Sequence, residues 1–175
     1  ISALYFLDKR YDDVLEYAIP ILNNSKQQFE TEMFRIVAAS YFAKSDYKNA
    51  WKYYEKFQQK DRGKTQNNQD YYQIGYTAFK LNNYAKAIGE LEKLTTPDQF
   101  YQSGMIVLGE SFLKTKNKQA ARNAFFRASK LTFDKELQEE GLFNYAKLSY
   151  ELEFHQVALE ATQQFLNTYK RSKRL

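Results

Sequence analysis

Chemistry at a protein site needs nucleophiles, bases or metal ligands that converge, and this chain is short of them. It has one histidine, His155, and no cysteine. That removes thiolate metal sites, disulfide frameworks, cysteine nucleophiles and nearly every scheme built on a histidine base or a histidine-held zinc. No Gly-rich phosphate loop and no nucleophile elbow occurs. The carboxylate pairs Glu139 with Glu140 and Glu90 with Glu92 have spacings that do not converge on one helix face. Asn23-Asn24-Ser25 matches a glycosylation acceptor, a short pattern that chance supplies often, and Ser25 with Gln28 reads better as a capping box opening the next helix. The expectation is no catalytic residue, no metal and no cofactor, with His155, just after a turn, as a packing residue.

The chain therefore has to act through shape. Its 175 residues are 43% apolar and 17% aromatic, with only six Gly and two Pro, which suits one compact domain or a short repeat array and excludes disorder as the main state. Lys170, Arg171, Lys173 and Arg174, in a basic tail spanning 170–175, carry four of the five net positive charges. The rest is nearly neutral, which argues against a nucleic-acid groove, normally marked by a basic stripe. The tail could meet phosphate or an anionic membrane surface; the preferred reading is that it complements the dipole of a last helix or continues into solvent. No run of about 18 apolar residues is present, so no membrane span is expected. The chain opens at Ile1 with neither an initiator Met nor a signal-peptide pattern, and reads as a fragment or processed product of a longer protein.

Sliding the sequence against itself reveals a repeat. Small residues following aliphatic or other apolar ones recur at Ser2, Ala38, Gly75, Gly109 and Ala146, spaced 36, 37, 34 and 37 apart. Twelve residues after four of them stands an alanine: Ala50, Ala87, Ala121 and Ala158. Between each pair lies a short polar turn, Lys44-Ser45-Asp46, Leu81-Asn82-Asn83, Thr115-Lys116-Asn117 and Glu151-Leu152-Glu153, whose Asp or Asn can cap the following helix. The flanking segments carry i, i+3, i+4, i+7 apolar spacing. Each unit reads as a helical hairpin whose small residues let two helices approach, while Tyr41, Tyr54, Phe57, Leu91, Leu94, Phe112, Phe125 and Phe165 fill the spaces between hairpins. Pro20 is expected to kink or end the second helix of the first unit.

A period near 34, an aliphatic–small pair, an aromatic three residues on and Ala at twelve together resemble the tetratricopeptide repeat, over essentially the whole chain. Phe34, Tyr71, Met105 and Leu142 stand where the family usually opens with Trp. The unit-closing Pro is out of register, the nearest being Pro97, and the loop from Arg62 to Asn68 exceeds the consensus. The resemblance implies an all-α, right-handed α-α superhelix of about four and a half hairpins forming a single array, with units near 1–24, 25–61, 69–97, 98–133 and 134–170.

It also implies a concave groove, lined from the first helix of each unit, that takes a protein or peptide segment. By register the groove residues are Arg35 and Phe42, then Tyr72, Tyr76, Phe79 and Lys80, then Lys114, and finally Phe143, Lys147 and Tyr150. Phe42, Phe79, Leu113 and Tyr150 also occupy a place where the family packs an aromatic, and packing is the preferred reading there. Tyr72, Tyr76 and Lys80 are the centre of the groove reading, since the family needs no aromatics at those positions. The family's clamp for chaperone C-termini needs Lys three before the small residue and Asn just after it, and no unit has that pair. A component of a periplasmic or outer-membrane assembly is the alternative function and an RNA-binding repeat a minor one. Richness in Lys, Asn, Gln and Tyr fits a bacterial source, which favours periplasm or cell envelope. A second copy of the chain, covering the apolar face of the truncated first hairpin, is a further candidate partner.

Overall fold

The structure, a computed structural model, describes residues 2–24 and 30–174. The acceptor residue Ser25 and the Ser25–Gln28 capping box lie outside them. Ten helices run in chain order and no strand occurs among the described residues: α1 Ser2–Leu7, α2 Tyr11–Asn24, α3 Glu30–Ala43, α4 Tyr47–Asp61, α5 Asn68–Lys80, α6 Tyr84–Leu91, α7 Gln99–Lys114, α8 Lys118–Ser129, α9 Lys135–Glu151 and α10 His155–Thr168. Successive helices pair as hairpins and each hairpin stacks on the next. Pro20 sits inside α2, which runs on to Asn24 rather than ending there.

The four fully described intra-hairpin turns share one geometry. Ser45, Asn82, Lys116 and Glu153 each adopt a left-handed backbone, with φ of 59°, 61°, 63° and 64°. The next residue's N–H donates back five positions, Asp46 to Tyr41, Asn83 to Ala78, Asn117 to Phe112 and Phe154 to Ser149, at 2.8–2.9 Å. This is the Schellman closure that satisfies the last carbonyls of a helix. Asp46, Asn83 and Asn117 then cap the next helix through their side chains. The last turn departs from that pattern, because the cap position of α10 is Phe154, which has no side-chain acceptor.

The joints are crowded as the small residues require. Ala38, Ala50, Ala87 and Ala121 are fully buried, Ala146 and Ala158 nearly so, and Gly75 and Gly109 are buried as well. A Cβ on Gly109 would meet the Phe125 ring at 2.7–2.9 Å. Large residues fill the remaining space: Tyr54, Phe57, Leu91 and Phe125 are at most 1% exposed.

The core is not continuous. One cluster joins α2, α3 and α4 and reaches Ile74, a second runs from α5 to α9, and a small third joins α9 to α10. The first two meet at the joint between α4 and α5, the most sparsely packed of the internal joints. Polar bonds reinforce it. Arg35 Nε donates to Asp70 at 2.7 Å, and the Tyr54 hydroxyl donates to Gln73 at 2.8 Å. Asp70 is 2% exposed and also accepts from the Asn67 N–H at 3.0 Å, completing a capping box at the start of α5.

Candidate functional site

Tyr72 and Tyr76 lie one turn apart on α5, a spacing that places both on one face, with ring centroids 5.8 Å apart. Phe42, near the end of α3, meets both rings edge-on at 6.4 and 5.7 Å. Tyr47 at the start of α4 approaches Tyr76 at 5.8 Å, and Phe100 in the first turn of α7 approaches Tyr72 at 6.0 Å. All five rings are half-buried. Together they form an aromatic strip across three successive hairpins, in which the edge-to-face contacts of Phe42 and Tyr47 suit the ring quadrupoles. Lys80, one turn beyond Tyr76, is exposed, and its ammonium lies 5.2 Å from the Tyr76 centroid. Hydrogen bonding to Tyr76 raises the Lys80 pKa.

Burial, reinforced by Tyr76 and Tyr47, pushes the Tyr72 hydroxyl up to about 12. The folded state thus prefers neutral Tyr72, and its contribution to stability is full below the unfolded value near 10. As pH rises from about 10 to about 12 the unfolded chain loses the proton first and that contribution disappears. Denaturant midpoints measured from pH 9 to 12 should therefore fall, and Tyr72→Phe should flatten part of the fall.

Further along this side, Glu110 on α7 is half-buried. Burial raises its pKa first and the charge of Glu140 on α9 second, while Lys80 and Lys114 oppose both. At the other end a hollow of about 260 Å³ is lined by Phe6, Leu7, Arg35, Ile36, Asp70 and Gln73 among others.

The residues singled out in the sequence separate into distinct places. Phe42, Tyr72, Tyr76 and Lys80 come together in the strip. Arg35 is held by Asp70 and, at 3.4 Å, by Glu32, so it ties two hairpins together. Phe79 is half-buried and turns toward Tyr84 of its own hairpin at 5.7 Å. Lys114 is exposed. Phe143, Lys147 and Tyr150 line a separate trough between α9 and α10 at the far end of the stack. Of the four positions where packing was preferred, Phe42 and Phe79 pack, whereas Leu113 is 37% and Tyr150 69% exposed. His155 is exposed on that trough, its ring 6.0 Å from Tyr150, rather than packed.

The carboxylates that drew attention are engaged elsewhere. Glu90 is buried between Lys86 and Lys93, at 2.9 and 2.8 Å. Glu139 and Glu140 take Arg174 of the tail at 3.7 and 3.4 Å, so part of the tail folds back onto α9. Among the described residues, no group of three or more His, Asp or Glu could hold a metal ion, and no helix is long and apolar enough to cross a membrane. Tyr47 and Phe100 were missed in the sequence, because each lies just inside a helix start and outside the register from which the groove was read.

Stacked helical hairpins with small residues at each crossing and aromatics on one side define a tetratricopeptide-type right-handed solenoid. Solved structures of that kind superpose over nearly the whole chain. A crystal structure of MamA matches with a TM-score of 0.74 at 14% identity, covering 100% of this chain and 98% of that one. The C-terminal part of a TPR repeat-containing protein from Cytophaga hutchinsonii gives 0.71 at 15% identity, over 95% of this chain and 62% of that one. PilF of Pseudomonas aeruginosa gives 0.63 at 16% identity, over 95% and 72%. No protein-family model and no curated protein matches the sequence. At these identities the likeness is one of fold.

Proposed function

We propose that the chain is a non-catalytic scaffold, working as one array, that captures a protein segment along the face carrying the aromatic strip. The supporting observation is that strip itself. Five half-buried rings from three successive hairpins present a continuous amphipathic surface, with the exposed Lys80 at its edge. Rings at the centre of the hairpin joints, Tyr54, Phe57 and Phe125, are buried completely, whereas these five each keep an edge open to solvent. Tyrosines that keep one edge wet are suited to a partner, since they offer large apolar area, a hydrogen-bonding tip and little side-chain entropy to lose. Alternating Lys80, Glu110 and Lys114 add a charge pattern that fixes the register of a bound segment.

The test is selection from a random peptide library on the intact chain. Tyr76→Ala with Lys80→Ala should reduce binding of the selected peptides at least tenfold while far-ultraviolet circular dichroism stays unchanged. Peptides that bind the double variant as tightly as the parent chain would remove the assignment.

A further inference from the structure

The aromatic strip has a centre, at the joint between the second and third hairpins. The Phe42 ring meets Tyr47, Tyr72 and Tyr76 edge-on, at 6.0, 6.4 and 5.7 Å. Three tyrosines from α4 and α5 thus share one phenylalanine of α3 as their apolar support, and ring packing leaves their hydroxyls unused.

Those hydroxyls lie within electrostatic reach of one another. Burial raises the Tyr72 pKa first, and the neighbouring Tyr76 and Tyr47 add to the rise. Lys80 senses the same pair: its hydrogen bond to Tyr76 favours its charge most, and Tyr47 favours it too. The Lys80 ammonium lies 5.2 Å from the Tyr76 centroid. Four polar tips therefore share one spot of the groove.

Most of their hydrogen-bonding capacity is free. Tyr54, Tyr84 and Tyr145 use their hydroxyls inside the protein, on Gln73, Asn82 and Arg122. Tyr47 and Tyr72 make no hydrogen bond among the described residues, and Lys80 has no acid within ion-pair distance there. Tyr76 accepts from Lys80, which leaves its own O–H to donate.

Donors gathered on half-buried ground need an acceptor once a partner covers them, because a buried unpaired donor is costly. Lys80 selects the kind of acceptor. Its charge repels a cationic side chain and favours an anion over a neutral carbonyl, since charge-assisted hydrogen bonds are roughly twice as strong as neutral ones. The next joint shows the same preference with an acid of the chain itself. There the corresponding registers hold Phe79, Tyr84, Ile106, Glu110 and Lys114. Glu110 takes the place of Tyr76, and Lys80 and Lys114 both favour its charged form. The Tyr76 joint has the lysine and the donors but no carboxylate in these registers.

We propose that the Tyr47, Tyr72 and Tyr76 hydroxyls and the Lys80 ammonium form a carboxylate subsite, so that the captured segment is acidic and seats an Asp or Glu side chain here. This rests on capture along the strip and names the chemistry of what is captured.

The probe is a pair of twelve-residue peptide libraries selected on the intact chain, built from neutral residues except for a central Glu in one and a central Gln in the other. Binders should come mainly from the Glu library. Resynthesised with amidated C-termini, so that the side chain is the one carboxylate offered, they should lose at least tenfold in affinity by fluorescence anisotropy when Glu is exchanged for Gln. The variant Tyr47→Phe with Tyr72→Phe and Tyr76→Phe keeps all five rings and removes three hydroxyls. It should bind the Gln peptides as the parent does, yet gain less than threefold from Glu. Lys80→Met should narrow the difference in the same direction. A parent chain that binds Glu and Gln peptides alike, or variants that discriminate as the parent does, overturns the proposal. If Gln peptides bind and Tyr76→Ala with Lys80→Ala abolishes their binding, capture by the strip stands and the carboxylate subsite falls. If neither library yields binders sensitive to that double variant, both fall. Sedimentation showing a dimer that Lys80→Met dissolves also overturns the proposal, since the acid would then belong to a second copy.

Discussion

Asp70→Ala is expected to destabilise the chain by about 3 kcal/mol and to split its denaturant unfolding into two transitions. Removing one partner of a buried ion pair typically costs about 3–5 kcal/mol, because the other charge is left buried and unpaired. Arg35 keeps Glu32 at 3.4 Å and is 23% exposed, which lowers the penalty toward the bottom of that range. The variant also strips the Asn67 N–H of its acceptor at the start of α5, adding a loss of about 1 kcal/mol.

The splitting follows from where the pair sits. In a repeat array stability is a sum of unit terms and nearest-neighbour joint terms, and unfolding is cooperative only while the joints are strong. The α4–α5 joint is the most sparsely packed, with Ile74 and Trp51 carrying apolar contact across it, so losing its ion pair should let the helices α1 to α4 unfold before the rest. Denaturation followed by tryptophan emission reports the α4 side of the joint through Trp51, which packs against both clusters, and circular dichroism reports the whole chain. The two curves should coincide in the parent and separate in Asp70→Ala. Replacing both partners, Arg35→Met with Asp70→Leu, should recover most of the loss, since apolar side chains of similar size avoid the stranded charge.

This pair also marks the limit of what the sequence discloses. The repeat was legible because each joint imposes the same steric demand, and Ala38, Gly75, Gly109 and Ala146 answer it in the same register. Turn positions were legible for a similar reason, since Asp46, Asn83 and Asn117 are capping residues at a fixed offset. Asp70 obeys no such rule. It lies in the register that Gly104 and Gly141 hold in the next two units, and its partner is 35 residues away on another helix. Gln102 is a comparable case. Its sequence neighbours give no sign of burial, yet it is fully buried, donating to the carbonyls of Leu131 and Asp134 at 2.8 and 3.0 Å and accepting from the Asp134 N–H at 2.8 Å. It holds the loop between α8 and α9 in place of a turn motif. For the candidate site, the helix that presents each residue was legible, but which rings meet was not, because Tyr47 and Phe100 reach the strip from helix starts. The exposure of Leu159 and Leu166 on α10 is likewise a matter of stacking, which no local sequence pattern discloses.

The second large effect concerns Gly141, and it separates close helix approach from mere tolerance of glycine. A Cβ at Gly141 would stand 2.8 Å from both the Phe125 carbonyl oxygen and the Ser129 nitrogen, and 3.2 Å from the Ala128 Cβ. The first two contacts are backbone of α8, which cannot rotate aside as a side chain can. Gly141→Leu must therefore push α9 off α8 and overpack the joint, at a cost of about 3 kcal/mol. Gly141→Ala meets the same backbone with less bulk, and the gain in helix propensity of about 1 kcal/mol offsets part of its cost. Gly89, on α6, has nothing within 4 Å of its added Cβ, so Gly89→Ala should stabilise the chain by about 0.5–1 kcal/mol through the same propensity. Thermal melting of the three variants should place Gly89→Ala above the parent and the Gly141 variants below it in order of size. Equal shifts for the two alanine variants would show that α8 and α9 separate freely at this crossing, and the small residues of the repeat would then need another explanation.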